Sequence, residues 1–77
     1  MKIILRMEGH LRQYFPHLAA PTVVSLDGAP TVAEILQAAG VPPELPNAVL
    51  CNKLRVETSF VPPDGAELVV LSPLAGG

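Results

Sequence analysis

Hydrophobic and polar positions alternate from the second residue onward. In "KIILRMEG", Ile3, Leu5 and Met7 share one side, with Lys2, Arg6 and Glu8 largely opposite, which predicts an N-terminal strand ended by Gly9. In "HLRQYFPHLAAP" the period changes, and Leu11, Tyr14, Phe15 and Leu18 fall at i, i+3, i+4, i+7. Pro16 disfavours helix at Phe15, so a short helical turn is expected, pinning a loop to the core. "TVVSLDG", Thr22 to Gly28, predicts a second strand with Val24 and Leu26 inward and Asp27-Gly28 as its turn.

The next segment, "PTVAEILQAAGVPP", carries both ends of a helix. Thr31 and Glu34 form a capping box, and Val32, Ile35, Leu36 and Ala39 make one apolar stripe. Gly40 stands where a left-handed residue closes a helix, Val41 can supply the accompanying apolar contact, and Pro42-Pro43 forbid continuation. The helix is expected over Val32 to Ala39. "NAVLCNKLRVE" then reads as a strand, a tight turn near Asn52-Lys53 and a short strand. Pro63-Asp64-Gly65 is a turn, and "ELVVLS" is a last strand, apolar on both faces and so placed centrally.

The order ββαβββ predicts an α+β domain of two layers, a mixed five-stranded sheet with one main helix packed on one face. Pairing the first and last strands in parallel at the centre, with the hairpins outside, gives the β-grasp arrangement. Residues 1–71 are expected to form this domain and residues 72–77 a flexible C-terminal tail.

Composition narrows the function. A single domain of 77 residues buries only roughly 60–65% of its unfolded surface, so its stability margin is thin. Cys51 is alone and no Cys/His cluster has zinc spacing, so neither disulfide nor metal is expected to staple it. Packing must hold it, and 49% hydrophobic residues also leave apolar surface over for an interface. A net charge of −2 without a basic stripe argues against nucleic acid. "MKIILRMEGH" is too short and too charged for a signal peptide or a membrane span, and a cytoplasmic setting is expected.

No catalytic constellation emerges. His10 and His17 read as surface imidazoles, and Cys51 as a small buried hydrophobe with nothing nearby in sequence to activate it. Asp27 and Asp64 belong to turns, Glu34 to a cap, and Glu8, Glu44, Glu57 and Glu67 to solvated surface. Lys2, Arg6, Lys53 and Arg55 are solubilising edge charges, or a small basic patch if their strands lie together. A non-enzymatic protein is expected.

The remaining feature is the ending, "SPLAGG". Pro73 cannot donate to a sheet ladder and its predecessor prefers extended backbone, so strand pairing should stop near Leu71. Gly76 and Gly77 have no Cβ and can pass through a channel too narrow for other residues. The six residues reach at most about 20 Å. A terminal carboxylate there, with a pKa near ~3.5, is ionised and inert until another enzyme activates it.

The segments "TVAEILQAAG", "NAVLCNK", "PPDGAELVVLSP" and the final "GG" resemble the ubiquitin-like sulfur carriers of the MoaD/ThiS family across nearly the whole chain. The resemblance implies that an E1-like adenylating enzyme of the MoeB/ThiF type uses ATP and magnesium to adenylate Gly77. The acyl-adenylate then becomes a thiocarboxylate, 1-thioglycine at Gly77, which donates sulfur to a cofactor precursor. Pro73, Leu74, Ala75 and Gly76 would thread the partner's active site. Because the tail is nearly featureless, binding energy must come from remote contacts, for which Leu54, Val56, Val69 and Leu71 are candidates.

The long segment from Gly9 to Pro21 is similar to that of the molybdopterin synthase small subunit, implying a MoaE-like large subunit as a second partner. Ser72 departs from that branch's proline-proline-x-x-Gly-Gly ending, so thiazole synthesis or another sulfur pathway stays open. The same fold and tail also serve protein modifiers, in which Gly77 would form an isopeptide bond with a lysine. A plain β-grasp binding module is the third reading.

Overall fold

The computed structural model describes residues 1–46 and 48–71. Strand β1 runs over Lys2–Glu8 and is followed by a single turn of helix, α1, at Leu11–Tyr14 and a 3₁₀ turn at Pro16–Leu18. Strand β2 is Thr22–Ser25, helix α2 Val32–Ala38, β3 Ala48–Cys51, β4 Leu54–Val56 and β5 Glu67–Leu71. The sheet order is β2-β1-β5-β3-β4, with β1 and β5 parallel and the other pairs antiparallel. The first and last strands thus meet at the centre and both hairpins lie outside, as the alternation predicted.

Helix α2 forms where its ends are satisfied. The Thr31 hydroxyl accepts a hydrogen bond from the Glu34 amide, and the Glu34 carboxylate accepts one from the Thr31 amide at 2.9 Å. Such a cap contributes about 1 kcal/mol. At the other end Gly40 takes φ +84°, the Gly40 amide reaches the Gln37 carbonyl at 3.0 Å, and the Val41 amide reaches Leu36 at 2.8 Å. That pair of bonds is the Schellman closure, with Val41 buried against the core. The helix stops at Ala38, one residue before the expected Ala39, which serves as its C-cap.

Val32, Ile35 and Leu36 pack onto Ile3, Leu5, Met7, Val49, Leu68 and Val70 in one cluster. Leu11 and Leu18 close it from the 9–21 segment, and Phe15 packs against it. Tyr14 departs from the sequence stripe and is 71% exposed. Helix α1 ends at Tyr14, and at Phe15 the backbone leaves helical geometry (φ −128°, ψ +69°), so the stripe does not continue as one helix to Leu18.

The 62–66 turn is stitched to β1. The Asp64 carboxylate accepts the Lys2 amide at 2.7 Å, the Gly65 amide donates to the Lys2 carbonyl at 2.7 Å, and the Ile4 amide donates to Ala66 at 2.9 Å. These bonds set the register that delivers β5 beside β1. Asn52 and Lys53 both have positive φ, closing the β3–β4 hairpin in two residues. The Asn52 side chain also accepts the Glu67 amide at 3.1 Å, fixing where β5 begins.

Candidate docking face

Register assigns every strand residue to one of two faces, because directly opposed residues in neighbouring strands point the same way. Under α2 lie Val24, Ile3, Leu5, Met7, Leu68, Val70, Val49 and Cys51. On the other face, which no helix among the described residues covers, Val23 opposes Ile4, Ile4 opposes Glu67, Arg6 opposes Val69, Val69 opposes Leu50, and Leu71 lies between Glu8 and Ala48. Val23 is 60% exposed and Ile4 37%; Val69, Leu50, Ala48 and Leu71 are half-buried.

The four body residues singled out as interface candidates therefore do not share a surface. Val69 and Leu71 lie on the open face. Leu54 and Val56 belong to the opposite one, through their pairing with Cys51 and Val49. Val56 packs against the core, and with Pro43, Pro46, Val49 and Thr58 it lines an open groove of about 730 Å³ at the end of β4. Leu54, 72% exposed, sits on the edge strand beyond the reach of α2. Ile4, Val23, Leu50 and Ala48 complete the open face. Their signal in the sequence was the apolar residue at a nominally polar position of an alternating strand.

Charge on this face is partly neutralised. The Arg6 guanidinium meets Glu8 at 3.2 Å and Glu67 at 3.6 Å, with these side chains about two-fifths exposed. Exposed pairs of this kind add little stability. They do spread a zwitterionic cluster along the β1–β5 seam. Lys2 and Arg55 share the face by register, whereas Lys53 sits in the hairpin turn. The basic residues thus line the face without converging into one cluster.

Leu71, the last described residue, ends the central strand between Glu8 and Ala48. Pro73, Leu74, Ala75, Gly76 and Gly77, to which the sequence assigned the reactive arm, lie outside the described residues.

Other candidate groups have structural duties. His10 is exposed. The His17 ring places Nε2 at 3.0 Å from the Ala39 carbonyl, tying the 3₁₀ turn to the end of α2. Cys51 is buried, and burial pushes its thiol above the ordinary value of 9.0. At neutral pH it is a protonated thiol packed on Leu68 and Leu54. Iodoacetamide should label it in denaturant and leave it essentially untouched in the native protein, as read by intact mass; rapid native labelling would reveal an accessible thiolate. Among the described residues no three His, Cys, Asp or Glu side chains gather in a way that could hold a metal. Among the described residues no helix is long and apolar enough to cross a membrane.

No family model matches the chain, and none of the curated proteins matches it. Among solved structures, the crystal structure of SAMP1 from Haloferax volcanii superposes with a TM-score of 0.77, covering 100% of both chains at 22% sequence identity. The fold is the ubiquitin-like β-grasp. At this level of identity the likeness carries the fold, and the chemistry has to be argued from the residues themselves.

Proposed function

We propose that the protein is a ubiquitin-like sulfur carrier whose Gly77 carboxylate is adenylated by an E1-like enzyme of the MoeB/ThiF type and converted to a thiocarboxylate. The observation that carries this reading is the position of Leu71. It ends the central strand at the margin of an apolar, helix-free face, and the Ser72-Pro73-Leu74-Ala75-Gly76-Gly77 sequence follows directly. A partner that covers Val69, Leu50 and Ile4 would receive the arm at the edge of its own footprint.

The chemistry needs no catalytic group on this chain. The carboxylate attacks the α-phosphorus of magnesium-bound ATP and pyrophosphate leaves, forming a mixed anhydride. A sulfur nucleophile then attacks the activated carbonyl carbon and AMP leaves, which carboxylate oxygen alone could not do. Docking on the face supplies binding energy, and the glycines let the arm reach the reacting atoms. The long 9–21 segment favours molybdenum or tungsten cofactor synthesis with a MoaE-like subunit as acceptor partner; a thiazole pathway and lysine modification through Gly77 are the competing uses of the same arm.

Mass spectrometry of the protein and its conjugates from its own cells separates carrier from modifier. The carrier reading expects a fraction in which one oxygen at Gly77 is replaced by sulfur. The Val56–Gly77 segment left on lysines of other proteins after tryptic cleavage at Arg55, without that exchange, would establish the modifier instead.

A further inference from the structure

The docking face has an electrostatic asymmetry that its apolar residues do not explain. One row crosses four strands in the order Arg6, Val69, Leu50, Arg55, each opposed to the next by register. At about 4.8 Å per strand the two arginine positions stand roughly 14 Å apart with the apolar pair between them. They are not equivalent. Arg6 is held by Glu8 and Glu67, so the β1 side of the row is neutralised by the protein's own carboxylates. Arg55 is exposed, and among the described residues it has no carboxylate within ion-pair distance; Glu57, two positions on, makes no such pair.

The neighbouring charges do not blur this. Lys53, exposed in the hairpin turn, adds a second cation on the β4 side. Lys2 lies at the start of β1, opposite Ser25, at the end of the sheet remote from Leu71. The chain as a whole carries a net charge of −2, so a locally positive margin beside an apolar centre is not a by-product of bulk composition.

Apolar contact is non-directional and would let a partner rotate about the Val69–Leu50 centre. Transfer chemistry cannot tolerate that rotation, since the arm emerges from one point only, beyond Leu71. A charge to one side of the centre removes the ambiguity, because complementary charge fixes register and speeds encounter. We propose that Arg55 is the orientation determinant of the docking face, engaging a carboxylate on the E1-like partner so that the partner's active site stands over the end of β5.

This rests on the carrier reading given above. It adds a requirement to that reading: the partner must present an apolar knob with an acidic side chain on its β4-facing flank. A guanidinium suits the task, since it offers a planar fork to a carboxylate and stays charged at any accessible pH.

The test uses the full chain and the E1-like adenylating enzyme of the same organism, with ATP–pyrophosphate exchange as readout at low and moderate salt. Arg55→Glu should raise KM about tenfold and flatten its salt dependence. Arg55→Gln should show a smaller rise, and Arg55→Lys should restore most of the salt dependence. Melting temperatures of all three should stay close to the wild type, because Arg55 is exposed. Wild-type adenylation together with an unchanged KM and salt slope in Arg55→Glu overturns the inference alone. Failure of the enzyme to adenylate the wild-type chain overturns the carrier reading and, with it, this assignment of the partner.

Discussion

Changing Gly76 to phenylalanine is expected to abolish adenylation while leaving the folded body intact, and removing Gly77 should do the same. The two variants fail for different reasons. On the carrier reading proposed above, phenylalanine would place a side chain where bare backbone has to pass into the partner, and misplacing a reacting group by about 1 Å already costs on the order of 100-fold in rate. Deleting Gly77 moves the carboxylate back by one residue, beyond the reach of the activating site. Among the described residues the hydrophobic core is assembled between Ile3 and Val70, so the folded body is expected to survive both changes. ATP–pyrophosphate exchange measures the first effect and a thermal melt by circular dichroism the second. Normal activation of either variant would sink the carrier hypothesis, because it would mean that the Gly-Gly end is not what the enzyme handles.

The largest effect on stability is expected from Leu68→Ala. Leu68 lies on the central strand with no exposed surface, between Leu5 of β1 and Cys51 of β3 and beneath α2. Truncating a leucine in such a site costs about 2–5 kcal/mol, the lost transfer energy plus the cavity left behind. A chain of this length has a total stability of roughly 4–12 kcal/mol, so the variant stands near the margin of folding. Each kcal/mol corresponds to about 4–8 °C in melting temperature for a domain of this size. Leu54→Ala is the internal comparison. That side chain is 72% exposed on the edge strand, and its loss should change stability by no more than about 0.5 kcal/mol. If Leu68→Ala melted within about 2 °C of the wild type, the central position of β5 and the shared core would be wrong.

Much of this architecture was legible in one dimension because the responsible interactions are local. Thr31, Glu34, Gly40 and Val41 lie within eleven residues of each other and define both ends of α2 through main-chain hydrogen bonds that need no partner element. The alternation of Ile3, Leu5 and Met7 was enough to name their buried side, and the apolar run of β5 was enough to place it centrally. The hairpin turn is legible at Asn52, which tolerates positive φ, whereas Lys53 at φ 76° takes a conformation uncommon for its type within the β3–β4 pairing.

Other features depended on contacts between distant segments. Nothing local distinguishes Val69 from Val56; each is a valine in a short apolar strand. The Val49–Val56 and Leu50–Val69 pairings put one under the helix side and the other on the open face, since a shift of one residue in register reverses every side chain. The same physics gathers Ile4, Val23 and Leu50 onto one face from three separate strands, and pairs Arg6 with carboxylates while Arg55 has no such pair among the described residues. Tyr14 reaches solvent although it shares a helical turn with the buried Leu11, an outcome that the spacing alone did not reveal. The sequence by itself determined the elements and their order, carried by covalent order and short-range hydrogen bonding. Only the tertiary structure decided which residues face a partner together, because that follows from strand register, a property of pairs of segments rather than of either one.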